Sequence, residues 1–183
     1  MNDKRDAARA KHDIKRERHL EFWFSAAFKS VELLCEIYAK LIPNITHDYE
    51  ILQGLEILKS IAHRTIDVLK PFVEKYKADE QYGNRISHSL RDHLFPYGQD
   101  DEAPHAYAAL AGLLGLQVYL SNIEGHLNAL VPVSLALWDS KFSGAVGEAM
   151  QNIVRSQSWV KHQITVRSPQ TLVVPSTVER HEL

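Results

Sequence analysis

Several residue types and motifs on which enzymes and secreted proteins depend are scarce or missing from this 183-residue sequence. Cys35 is the only cysteine, so no disulfide can form within one chain. The eight glycines form no phosphate-binding loop, and there is no CxxC pair and no Gly-x-Ser-x-Gly elbow. These absences exclude a disulfide framework, dinucleotide binding of the Rossmann type and the chemistry of α/β-hydrolases.

An excess of one charge and long apolar runs are missing as well. Lys and Arg number 21 against 23 Asp and Glu, so the net charge is −2 and offers no global attraction to nucleic acid or an anionic membrane. The most apolar segment, residues 104–138, is amphipathic, whereas a membrane span needs about 20 nearly uninterrupted apolar residues. Because charged residues occupy the place of a signal peptide's apolar run, the sequence predicts a cytoplasmic protein that binds no membrane.

Helical spacing of apolar residues is what this sequence has in abundance. Within residues 104–138, large aliphatic side chains recur at alternating steps of three and four, which places them on one face of a helix. This apolar stripe consists of Leu113, Leu116, Leu120, Ile123, Leu127 and Leu130. The polar stripe beside it consists of Gln117, Ser121, Glu124 and Asn128. The pattern predicts a helix packed in the core of a bundle.

The first half of the chain predicts two helices, A and B, in that order. Helix A covers residues 20–41 and ends before Pro43, because proline disfavours helix in the residue that precedes it. Helix B begins at a cap from Thr46 or Asp48 and loosens at Pro71, which lacks a backbone donor. The connection between them is only about five residues long, which predicts antiparallel neighbours.

The second half predicts helices C and D. Helix C is the 104–138 segment, bent or broken at Pro132. Helix D covers residues 141–167 and stops at Ser168 and Pro169. The connection between C and D is short, so these two helices also form an antiparallel pair.

The whole pattern predicts an all-α four-helix bundle with three sequence regions. Residues 1–19 form a charged helical extension or a basic arm, residues 20–167 form the bundle, and residues 168–183 form an extended tail. The bundle consists of two up-down pairs joined by one long crossover between helices B and C, the second and third helices. The crossover contains a short helix near residues 84–94 and is long enough to let helix C run parallel to B. This connectivity resembles that of ferritin-like bundles.

The resemblance to ferritin-like bundles suggests a metal site, but the expected ligand spacing is missing. Di-iron sites of that kind take a Glu-x-x-His pair from each of two helices, and the sequence contains no such pair. The carboxylates and histidines that could serve as atypical ligands for iron, manganese or zinc are Glu32, Glu36, His63, Glu124 and His126. The simpler alternative is that these are hydrogen-bonded or exposed residues and that the protein takes no cofactor.

Two further groups of cations and histidines raise the possibility of anion binding. In the crossover, Arg85, His88 and Arg91 lie three residues apart, so on a short helix they share one face that could hold a phosphate. Arg155 and His162 have the Arg-to-His spacing that resembles HEPN ribonucleases, in which a cation and a general acid or base meet at a dimer interface. Acidic neighbours of the crossover cluster favour the alternative, a solvated polar surface without nucleic acid.

The function most consistent with these observations is binding or assembly without catalysis. A ferritin-like metal protein with atypical ligands is the second hypothesis, and a HEPN-like ribonuclease is the third. Aromatic residues around helix A, among them Trp23, and apolar residues 172–174 of the tail exceed what one bundle helix can bury. We therefore expect a homodimer, and a protein partner of another kind is the alternative.

Overall fold

Four long α-helices make up almost all of the structure, a computed structural model that describes residues 3–45, 48–76 and 105–172. The helices are α1 (Asp3–Leu41), α2 (Tyr49–Leu69), α3 (His105–Ala136) and α4 (Ser140–Leu172). Short 3₁₀ turns, Ile42–Asn44 and Lys70–Phe72, follow the first two helices. No strand occurs in these three ranges, which confirms the predicted all-α four-helix bundle.

The helix ends follow the capping and proline signals of the sequence. The 3₁₀ turns after α1 and α2 contain Pro43 and Pro71. Asp48 caps α2, since its Oδ1 accepts a hydrogen bond from the backbone N–H of Ile51 at 3.1 Å. Asp139 caps α4 in the same way, accepting from the backbone N–H of Phe142 at 3.1 Å. Each of these aspartates stabilises a helix by satisfying a backbone donor that has no partner within the helix.

The helices form a ring in which α1 and α4 each pack against both α2 and α3. Contacts at both ends show that α2 and α4 are antiparallel. At one end the Arg167 guanidinium binds the Asp48 carboxylate, with N–O distances of 2.8 and 3.0 Å. At the other end Lys75 Nζ lies 2.6 Å from Asp139 Oδ2. Helices α1 and α3 are antiparallel as well, because Leu41 lies beside Gly112 and Trp23 beside His126.

Helices α2 and α3 consequently run parallel on opposite corners of the ring. Tyr76, which follows α2, packs against Phe142 at the start of α4, with ring centroids 4.5 Å apart. Gly112, near the start of α3, lies beside Leu41 at the other end of the bundle. The chain therefore leaves α2 at one end and enters α3 at the opposite end. The short helix predicted near residues 84–94 lies outside the described residues, and the likeness to ferritin-like bundles stays a prediction.

The predicted apolar stripes form the core. All six members of the α3 stripe are at most 1 % exposed, and aliphatic and aromatic residues from the other helices surround them. At the end where α4 begins, Phe142 packs against Phe24, Phe72 and Tyr76, with ring centroids 5.6, 5.2 and 4.5 Å away. Leu120 lies at mid-helix and is fully buried. The periodicity of the sequence thus identifies the buried faces of the helices.

Helix α4 is longer than predicted, because it continues through Pro169 to Leu172. The expectation that it stops at Ser168 is wrong. A proline removes one backbone hydrogen bond, and near the end of a helix few later bonds depend on it. Two contacts hold the turn before Pro169: Arg167 is bound to Asp48, and the Ser168 hydroxyl donates to the Ile164 carbonyl at 2.7 Å. At the other end of the chain α1 already begins at Asp3, so the charged segment is continuous with the bundle helix.

Two helical glycines predict opposite changes in stability on substitution by alanine. A methyl group at Gly54 would overlap the indole ring of Trp159, whereas nothing lies within 4 Å of the same position at Gly144. We expect Gly54→Ala to lower the free energy of unfolding by about 1–3 kcal/mol through overpacking. Gly144→Ala should raise it by about 0.5–1 kcal/mol, because alanine loses less entropy in a helix. Urea denaturation measures both; changes of the same sign would contradict the close packing of α2 and α4.

Candidate interaction surface

Three of the residues considered as metal ligands lie around Cys35, where α1 meets α2. The Cys35 thiol lies 3.9 Å from Nδ1 of His63, an exposed side chain. Glu32 is engaged by Lys29 at 3.0 Å, and Glu36 is exposed. Burial, with a smaller contribution from the charge of Glu32, raises the pKa of Cys35 to about 11. The thiol is therefore protonated near neutral pH, when it is a poor metal ligand and a poor nucleophile.

The other two candidates, Glu124 and His126, take part in contacts on different sides of α3. Glu124 accepts a hydrogen bond from Gln157 of α4, with an Nε2–Oε2 distance of 2.8 Å. His126 packs against Trp23 of α1, with ring centroids 5.8 Å apart, and burial lowers the pKa of its imidazole. Across the described ranges no three His, Cys, Asp or Glu residues form a group that could hold a metal ion.

The candidate anion sites are only partly described. Arg85, His88 and Arg91 lie outside the described residues, so phosphate binding by the crossover stays a prediction. Arg155 and His162 are both exposed on α4, two helical turns apart. Arg155 lines a shallow cleft between α2 and α4, which it shares with an Arg64–Glu148 ion pair and the side of Asn152. In that cleft the Glu148 carboxylate is paired with Arg64, the second arginine of the lining.

A line of buried polar side chains on α4 has no counterpart among the sequence predictions. Its members are at most 4 % exposed and are Asn152, Ser156, Gln157 and Gln163. Asn152 donates to the Thr65 hydroxyl at 3.2 Å, and Gln163 donates to Glu50 at 3.3 Å, so both bind α2. Gln157 donates to Glu124 on α3, as described above. These contacts explain Asn152, Gln157 and Gln163 as links between helices, whereas the Ser156 hydroxyl donates to the Asn152 carbonyl within α4.

The most unusual surface belongs to α3, whose solvent-exposed face carries no charge. Glu124 is the only Asp, Glu, Lys or Arg between His105 and Ala136, and Gln157 binds its carboxylate. The exposed residues of α3, which we call the neutral face, are Leu114, Val118, Ser121, Gly125, Asn128, Ala129, Pro132, Val133, Leu135 and Ala136. The exposed faces of the other three helices all carry charged side chains, for example Glu36, Glu56 and Lys161.

The neutral face has large apolar residues near both ends, with Leu135 63 % exposed at the end of the helix, and small residues at its centre. Leu114 and Val118 are 48 % and 49 % exposed, and a Cβ atom at Gly125 would meet nothing within 4 Å. Beyond the end of α3, Leu137 and Trp138 extend the apolar surface, and Trp138 is 94 % exposed. Trp138 also has a φ of 56°, a left-handed conformation that is unfavourable for a bulky residue.

This surface differs from the one that the sequence suggests for association. The sequence predicts aromatic residues on several sides of helix A, but Phe24 is fully buried and Phe28 is partly buried within the bundle. Trp23 remains 43 % exposed, on the side of α1 that meets α3. The sequence does carry a signal for the neutral face, since Glu124 is the only Asp, Glu, Lys or Arg in α3. Periodicity alone attributes the apolar character of this helix to core packing.

Comparison with models of known families, with curated proteins and with solved structures finds no match for this chain. Of the helices in the described ranges, none combines the length and the apolar character that crossing a membrane requires. The case for a function therefore depends on the surface itself.

Proposed function

We propose that this chain is a non-catalytic assembly protein of the cytoplasm, and that it forms a homodimer through the neutral face of α3. The observation that carries this proposal is the complete lack of charge on the exposed side of a 32-residue helix. A solvent-exposed helix ordinarily presents charged and polar residues on the side away from the core. An exposed face without charged residues is better suited to contact with another protein.

The composition of the neutral face matches the centre of a protein–protein interface. Charged residues are depleted from the buried cores of interfaces, because each would lose its hydration on binding. Exposed apolar patches of this kind on soluble proteins commonly mark sites of interaction. Leu114 and Val118 lie one turn apart and, with Leu135, are the most exposed large apolar residues of the face. Burying their apolar surface against a partner stabilises the complex by roughly 25 cal/mol for each Å² removed from water.

The connectivity supports a second element of the proposal, a ferritin-like arrangement of the four helices. The supporting observation is the parallel orientation of α2 and α3 between two antiparallel pairs, which requires a long connection. A fold of this kind carries many functions. It therefore adds no chemistry to the proposal of assembly.

Photo-crosslinking in cells tests whether the neutral face contacts a second copy of the chain. A p-benzoylphenylalanine in place of Val118 puts the reactive group on the neutral face, and the same residue in place of the exposed Ser158 of α4 is the matched control. Irradiation of cells that express each variant should give a product of twice the chain mass from position 118 only. Equal products from both positions, or no product from either, would contradict an assembly role for α3.

A further inference from the structure

The cleft between α2 and α4 has the size and the side chains of a binding site for a small polar molecule. Its volume is about 370 Å³, within the range of roughly 300–1,000 Å³ that is common for such sites. Both helices contribute an arginine to it, Arg64 from α2 and Arg155 from α4. We propose that the cleft binds a small hydroxylated phosphate ester, such as a sugar phosphate, with the phosphate held by the two arginines. This inference goes beyond the proposed function, which concerns α3.

Arg155 brings a positive charge that nothing in the described ranges neutralises. Its side chain lines the cleft and makes no hydrogen bond or ion pair with any residue of those ranges. A guanidinium group binds phosphate with charge-assisted hydrogen bonds in a fixed geometry. Arg155 is therefore the principal group for holding the anion.

Arg64 can take part as well, although it is paired with Glu148. The Nε and Nη2 atoms of Arg64 lie 3.0 and 2.7 Å from Oε1 of Glu148, which uses two of the five N–H donors of a guanidinium group. The remaining donors are open to a ligand. The pair is also exposed, with 70 % of the Arg64 side chain accessible to solvent, so it contributes little on its own. A phosphate has enough acceptor oxygens for both arginines, whereas one arginine already satisfies a carboxylate.

Hydrogen-bond acceptors near the arginines favour a ligand with hydroxyl groups over bare phosphate. The Thr65 hydroxyl donates to the Ile61 carbonyl at 2.8 Å, so its oxygen can only accept from the Asn152 amide nitrogen. The Asn152 amide oxygen therefore points away from Thr65, and it accepts no hydrogen bond within the described ranges. Asn152 lines the cleft although it is only 4 % exposed. Oε2 of Glu148 is a second open acceptor, because Arg64 contacts Oε1 alone.

Two glycines of α4 leave the space that the ligand would occupy. Gly144 and Gly147 both line the cleft, and a Cβ atom at either position would meet nothing within 4 Å. Glycine is less favourable than alanine inside a helix. A larger side chain at either position would therefore reduce the volume of the cleft without disturbing the packing of the core.

The cleft has the means to bind a phosphate ester but no histidine to cleave one. His162, which the HEPN-like spacing pairs with Arg155, lies two turns further along α4 and is not part of the lining. Arg155 thus has no imidazole beside it as general acid or base. The site that we propose holds its ligand unchanged.

Isothermal titration with glucose 6-phosphate tests the site, and inorganic phosphate and glucose serve as partial probes. Glucose 6-phosphate should bind more tightly than inorganic phosphate, and glucose should not bind at the same concentrations. R155Q should raise the dissociation constant of glucose 6-phosphate about tenfold or more, because it removes the charge-assisted hydrogen bonds. K161Q removes an exposed cation of the same helix outside the cleft, and it should change the constant by about twofold at most.

A second variant, G147L, fills the cleft while leaving both arginines in place. Leucine is a good helix former and its Cβ atom has free space, so urea denaturation should show a folded protein that no longer binds glucose 6-phosphate. Three results would each overturn the proposal: a wild-type protein that binds no glucose 6-phosphate, equal weakening by R155Q and K161Q, or unchanged binding by folded G147L. Equal affinity for inorganic phosphate would refute the hydroxylated ester. None of these results bears on assembly through α3, which the crosslinking experiment tests by itself.

Discussion

Phe142→Ala should lower the free energy of unfolding by about 3–5 kcal/mol. Phe142 is fully buried at the start of α4 and contacts rings from α1 and from the segment after α2. Alanine removes the apolar area of the ring and leaves a cavity bordered by Phe24, Phe72 and Tyr76. The tilted and edge-on ring contacts, worth about 0.5–1.5 kcal/mol per pair, are lost as well. Urea denaturation followed by circular dichroism measures the change.

Tyr49→Ala provides the matched control for the aromatic deletion. Tyr49 is 71 % exposed, and its hydroxyl only accepts a hydrogen bond from Gln53 one turn later. We expect its removal to change the free energy of unfolding by about 0.5 kcal/mol or less. If Phe142→Ala is as mild as this control, the aromatic cluster is not part of the cooperative core.

Leu120→Ala is the second substitution with a large expected effect, about 2–5 kcal/mol in the free energy of unfolding. Leu120 is fully buried in the middle of α3, so truncation leaves a cavity among helices that cannot all close around it. Its neighbour Ser121 is exposed, and its hydroxyl bonds to the Gln117 carbonyl at 2.9 Å within the same helix. Ser121→Ala should cost far less, since alanine is the better helix former.

Thermal or urea unfolding at one fixed protein concentration compares the two variants. The fixed concentration matters, because association stabilises the folded state and Ser121 lies on the proposed interface. Equal and small losses for both substitutions would show that the buried side of α3 has been assigned to the wrong residues.

The fold can be predicted from the sequence because helix, cap and turn signals agree with one another. The steps of three and four in α3 identify six residues that are all buried. Asp48 is one of two predicted caps for α2, and its side chain accepts the capping hydrogen bond. Local chemistry decides these features, since a cap or an apolar stripe depends on residues within a few turns. For that reason the bundle and the pairing of successive helices follow from the sequence.

Features that depend on contacts between distant residues cannot be predicted in this way. Asn152 and Gln157 are polar residues that belong to no apolar stripe, and their partners, Thr65 and Glu124, come from other helices. The continuation of α4 through Pro169 likewise depends on contacts that include an ion pair with Asp48, far away in the chain. The candidate site shows the same limit. The sequence predicts association through the aromatic residues of helix A. Only the packing of the helices shows that Phe24 is buried and that the neutral face of α3 is exposed.

The ion pairs at the two ends of α2 and α4 fix how far one helix can slide along the other. Asp48 and Asp139 are each held at the first turn of their own helix by a backbone N–H, so neither carboxylate can follow a moving partner. A slide of one turn, about 5.4 Å, would carry Arg167 and Lys75 away from both carboxylates at once. Such a slide would also move Trp159 of α4 off Gly54, the small residue of α2 against which its indole ring packs. The two capping residues thus reinforce, at the ends of the helices, the register that the packing of Trp159 on Gly54 sets in between.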